Sequence, residues 1–233
     1  MRPTSDLRRE QATPLIALAV SYMLLVIIGV GAITVLPHEL PVNGMGVLNP
    51  FGPAEISRGF FAANPDAVRV SALFCFVSSL PLVIYTAVVV SRLRSLGLRD
   101  PGVHAAFAGG LAASGGLAAA ALFLWMLSVP DAAASLPVAH TLHFLVFLSG
   151  GPAFAVGMGL MAGGVSVSIR RARVLPTWVI RLGFLLAATG ALSALGLLVI
   201  PLTAAVPITR VGGFAWLAAV GAFMPDRPAP ARG

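Results

Sequence analysis

The chain contains no lysine, a single cysteine and only eight acidic residues among 233. Each scarcity removes a class of protein. One cysteine, Cys75, allows neither an intrachain disulfide nor a thiolate metal cluster, and its place inside an apolar run reads as that of a small buried hydrophobe. Charged residues make up 10% of the chain, against roughly 25% in an ordinary soluble domain, which is too few to cover a water-facing surface. Hydrophobic residues make up 58% and the mean hydropathy is +0.95, so lipid must be the solvent for much of the surface.

Further absences narrow the function. Ion or proton coupling across a membrane needs an acid or base deep in the bundle, yet none of Asp6, Glu10, Glu39, Glu55, Asp66, Asp100, Asp131 and Asp226 falls in the middle of an apolar run. No internal repeat relates the first half of the chain to the second, which is the usual mark of alternating access. Walker A, G-x-S-x-G and HExxH strings are missing as well. Coupled transport and the common hydrolase and nucleotide chemistries are therefore disfavoured.

What is present is a succession of long uncharged runs. Residues 14–36 carry no charge over 23 positions, enough to cross about 30 Å of hydrocarbon. Arg2, Arg8 and Arg9 precede this run, but it exceeds a signal-peptide core and no small-x-small site follows, so it reads as an uncleaved helix. The expected fold class is an all-α polytopic membrane bundle of six helices, spanning about 14–36, 68–91, 103–129, 138–168, 177–200 and 206–224. A cytoplasmic segment 1–13, an outer loop 37–67 and a disordered tail 225–233 complete the chain.

Local signals refine this outline. The loop is rich in proline and glycine and reads as irregular, except that PAEISRGFFAANP suits a short interfacial helix. Asn64-Pro65 reads as an N-cap followed by proline at the first helical position. Gly150-Gly151-Pro152 predicts a kink in the fourth span. Small residues four apart, Gly110/Ser114, Ala112/Gly116 and Gly159/Gly163, mark faces where another backbone can approach. Trp178, just after the turn at Pro176, suits an interfacial position.

All fifteen basic residues are arginines. Six alternating spans put twelve of them on the side of the termini and leave Arg58, Arg69 and Arg210 on the other. The positive-inside rule then predicts that both termini are cytoplasmic. Arginines set between apolar runs match an insertion signal rather than a nucleic-acid footprint, so the expected partners are the bilayer and either a membrane protein or a second copy, with no nucleic acid.

Candidate sites gather on the outer side. His140 and His143 are three apart on one helix face, and with His38 they form the candidate metal site, for a divalent cation such as zinc or copper. The plainer reading is a pair of interfacial histidines bonded to carbonyls and water. His104 begins the third span at the opposite end and cannot share a haem with them, which leaves His38 with His140 as the one pair of suitable depth. Arg210 lies just inside the sixth span, where it can snorkel, pair with Asp66 or Asp131, or contact an anion or lipid headgroup. The glycines at 212 and 213 would let such a ligand near the backbone.

FLVFLSGGPAFAVGMGLMAGG after His143, RVLPTWVIRLGFLLAATG after the basic cluster and GGFAW at 212–216 resemble the second half of a bacterial family of six-span membrane proteins of unknown function. The shared features are a histidine before an aromatic helix start, a G-P-x-F kink and an L-P-x-W turn. The likeness covers 138–224. It implies a fold and supplies no activity. The expectation is a non-enzymatic protein of the cell membrane acting through lipid or protein contacts, as an accessory subunit or sensor. The alternative is an outer-face metal-binding protein or metalloenzyme using His140 and His143.

Overall fold

A computed structural model of the chain describes residues 14–37, 50–172 and 174–225. The segment 1–13, the loop residues 38–49 with His38 and Glu39, and the tail from 226 lie outside the described residues. The helices are α1 (Pro14–Val35), α2 (Ala54–Ala63), α3 (Pro65–Ser95), α4 (Pro101–Met126), α5 (Pro130–Ala134), α6 (Leu136–Leu148), α7 (Phe154–Ala172), α8 (Thr177–Leu195) and α9 (Ala205–Phe223). Among the described residues there is no strand.

Six helices are long and apolar enough to cross a membrane. They are α1, α3, α4, the run Leu136–Arg170 that joins α6 to α7, α8, and the run Ile200–Phe223 that ends in α9. The protein is a polytopic helical membrane bundle. Each span packs on the next in the chain and the sixth returns to the first, closing a ring. Met158, Met161 and Trp216 are fully buried within it, while Leu24, Leu122, Leu185 and Ile208 are among the large side chains left exposed on its outside, as a lipid-facing surface requires.

The loop between the first two spans is less irregular than its prolines suggest. α2 forms where the short helix is expected, and Phe60 and Phe61 bury its inner face. The second span then begins at Pro65, earlier than the expected 68. Asn64 occupies the N-cap position of α3, but its side chain does not cap that helix. Its Nδ2 donates instead to the Phe60 carbonyl oxygen at 3.0 Å. Two helices meet at this residue, and its amide serves the end of the first.

The turn between the second and third spans shows why they are antiparallel neighbours. Gly97, at φ 82°, takes the left-handed conformation that glycine alone adopts cheaply. Leu98 N–H donates to the Leu93 carbonyl at 3.1 Å and Gly97 N–H to that of Arg94 at 3.0 Å, the paired bonds of a Schellman end. Asp100 then caps α4, its carboxylate accepting from Gly102 N–H at 2.8 Å, with Pro101 at the first helical position.

The third and fourth spans approach backbone to backbone. A β-carbon added at Gly102 would stand 2.7 Å from the Gly164 carbonyl oxygen, at Gly109 2.7 Å from that of Gly157, and at Gly116 2.8 Å from that of Ser149. Gly102, Gly109 and Gly116 on α4 are seven apart, as are Gly157 and Gly164 on α7, a spacing that keeps one seam in register along two gently supercoiled helices. The pairs four apart behave differently. A β-carbon added at Gly159 would stand 2.7 Å from the Leu186 carbonyl oxygen, and one at Gly163 2.9 Å from the Ala187 β-carbon, so they serve the contact with the fifth span. Gly110 packs against Thr86 of the second span. Ala112 is exposed and shares no interface with Gly116. That pair fails because the seam follows the seven-residue spacing.

This seam yields a stability prediction. Gly109→Leu or Gly157→Leu forces side-chain carbons into backbone, and overpacking costs about 1–3 kcal/mol or more. Thermal unfolding in detergent should show a clear drop in midpoint for either variant. Gly115→Ala, with nothing within 4 Å of the added carbon, should leave the midpoint unchanged or raise it.

Candidate functional site

The expected kink in the fourth span is a π-helical turn, Ser149–Ala153, joining α6 to α7. Pro152 has no N–H to give, which breaks the α-helical ladder. Beyond it, Phe154 N–H bonds the carbonyls of Ser149 and Gly151. The Gly150 carbonyl therefore lacks its regular i+4 donor. Single-turn π segments inside α-helices mark functional positions more often than chance.

Arg210 of the sixth span takes up that carbonyl. Its Nη2 donates to Gly150 O, and its guanidinium carbon sits 5.0 Å from the centre of the Phe154 ring, within cation–π range. Arg210 is thirteen residues from Phe223, the end of α9, or about 20 Å along the axis at roughly 1.5 Å per residue. Were Phe223 at one surface of about 30 Å of hydrocarbon, the Arg210 Cα would lie some 10 Å below the other. Helical side chains lean toward the N-terminus, which here is the nearer surface, so the guanidinium leans outward.

No carboxylate among the described residues pairs with Arg210. Asp66 bonds Arg69 at 3.4 Å instead, and Asp131 is exposed on α5. The guanidinium has five N–H donors and spends one of them on Gly150. The result is a half-buried cation inside a span, held by one carbonyl and one ring, with most of its donors directed to neither. Gly212 and Gly213 leave no room for a ligand, because added β-carbons there would meet Leu186 at 2.9 Å and Met158 at 3.3 Å. Any anion must reach Arg210 along its side chain, from the surface.

The histidines lie at the same end of the bundle in separate settings. His140 is half-buried with its ring edge-on to Phe144 at 4.9 Å. His143 is 3% exposed, with its ring edge-on to Phe61 of α2 at 5.3 Å. Among the described residues no three His, Cys, Asp or Glu gather closely enough to hold a metal ion, and His38 falls outside them. His104 is exposed at the opposite end.

The other two arginines at the histidine end donate to carbonyls around α5. Arg58 donates to Ala134 O at 3.3 Å and Arg69 to Ser128 O at 3.4 Å. Sequence reasoning identified Arg210 but missed its two partners. Pro152 signals a free carbonyl nearby, but which of 149–151 it is, and that span six faces it, depends on the ring closure. The chain matches no known family, no curated protein and no solved structure.

A hydrogen bond from a charged donor contributes about 1.5–3 kcal/mol, so Arg210→Met should cost about that much in detergent unfolding. Phe154→Leu should cost less, about 1 kcal/mol, because it removes the ring and leaves the carbonyl bond. A double-mutant cycle should show coupling between the two. Additive losses would mean that ring and guanidinium do not interact.

Proposed function

We propose that this is a non-enzymatic multi-pass protein of the bacterial cell membrane that acts through lipid and membrane-protein contacts, with Arg210 binding an anionic headgroup. The observation that carries this reading is the guanidinium inside the sixth span with no carboxylate beside it among the described residues. A charge at that depth draws a counter-charge. The carbonyl and the ring supply partial charges only, and the outward lean of the side chain directs it to headgroup phosphates. An Arg fork matches a phosphate in two-point fashion, which a lysine cannot do.

The same reading gives the protein cytoplasmic termini and puts its histidine end outside, since the arginine-rich turns favour the cytoplasm. Membership of the six-span bacterial family whose motifs it shares is part of the proposal. A metal at His140 and His143 has two ligands among the described residues, whereas a structural zinc takes four.

Lipid retention tests the headgroup contact. Protein purified from mixed bilayers should carry phosphatidylglycerol in preference to phosphatidylcholine, and Arg210→Gln should retain about one phosphatidylglycerol fewer per chain. Unchanged retention would remove the proposal. Orientation is tested separately in a Cys75→Ala background. A membrane-impermeant maleimide should label Asp131→Cys on intact cells and Thr177→Cys only after permeabilisation, and the reverse pattern would invert the topology.

A further inference from the structure

The arginine-rich end of the bundle contains two adjoining hollows. One, of about 670 Å³, lies between the turn after α3 and the end of α7, and Arg99, Asp100, Val167, Arg170 and Phe184 are among its walls. The other, of about 590 Å³, lies under the turn into α8 and includes Arg170, Thr177, Arg181 and Phe184. Arg170 and Phe184 line both, so the two adjoin as a cleft in two parts, with Arg99 in the first, Arg181 in the second and Arg170 shared.

Among the described residues the walls of this cleft carry three arginines against one carboxylate. Arg99, Arg170 and Arg181 are exposed and have no carboxylate partner among the described residues. Asp100, the one acid in the walls, is already committed. Its Oδ1 accepts from Gly102 N–H at 2.8 Å and from the Ser168 hydroxyl at 2.8 Å, which turns it into the end of α4. α8 begins beside the cleft with Pro176 as its N-cap and no side chain capping it, so its free N–H groups add partial positive charge.

The lower wall is apolar. Val167 is 53% exposed and Phe184 is half-buried against the core, each three residues further into its span than Arg170 and Arg181. A soluble phosphate ester would leave that wall bare, whereas a phospholipid would cover both parts. Basic pockets between membrane helices suit such headgroups.

We propose that this cleft binds an anionic phospholipid, its phosphate on Arg99, Arg170 and Arg181 and an acyl chain along Val167 and Phe184. The proposal extends the lipid-contact reading to the other end of the bundle and uses none of the residues on which that reading rests. Native mass spectrometry of the full chain in detergent tests it in the Arg210→Gln background, so that the opposite end contributes nothing. Phosphatidylglycerol should bind this variant more tightly than phosphatidylcholine. Adding Arg170→Gln and Arg181→Gln should weaken it about 25-fold, at roughly fivefold for each arginine. Arg170→Lys with Arg181→Lys should retain most of the binding, which separates lost charge from lost folding. Undiminished binding by the Gln variant, equal binding of phosphatidylcholine, or displacement of the lipid by an equal concentration of inorganic phosphate would each overturn the proposal, the last by making this a site for a free anion.

Discussion

Backbone groups in hydrocarbon must find partners within the protein, and at Pro152 this chain cannot meet that demand with another turn of helix. The π turn shifts the bonds of one residue and leaves the Gly150 carbonyl to a side chain from a different span. Arg210 is therefore required twice over: its carbonyl partner needs a donor and its charge needs an acceptor. Neither group would be comfortable there alone, and their pairing ties the break in the fourth span to the sixth.

The sixth span depends on such ties more than the others do. The Tyr85 hydroxyl of the second span donates to Leu217 O at 2.7 Å. The buried Arg92 donates to Met224 O at 3.1 Å, where a cation also suits the negative end of α9. Thr209 donates to the Thr189 hydroxyl oxygen of the fifth span at 2.8 Å. The third and fourth spans are joined by close backbone packing, whereas the sixth is fastened by hydrogen bonds at several heights. Two ways of holding helices together in lipid, small residues and polar bonds, are divided between different parts of one ring.

Much of the fold was legible from residue order. Span number follows from length and hydropathy, because few charges interrupt the runs, and the break at Gly150-Gly151-Pro152 follows from the chemistry of proline. The interfaces were harder to read. Gly159 and Gly163 stood out for their four-residue spacing and do meet a neighbour. The seven-residue series Gly102, Gly109 and Gly116 went unnoticed among 25 glycines, because its meaning depends on a matching series in another span. Asn64 was read as a cap for the helix after it, because residue type alone does not show which of two adjoining helix ends an amide will serve. The candidate site divides in the same way. Arg210 was visible as a charge in an apolar run, while Gly150 and Phe154, about sixty residues away, became its partners only through the closure of the ring.

The glycine seam also fixes the length of the chain around it. Each residue advances a helix by about 100°, so one residue added between Gly102 and Gly109 would put Ala108 where Gly109 stands and bring its methyl carbon against the α7 backbone. The residue count of the third span is as much a part of the structure as the identity of its glycines.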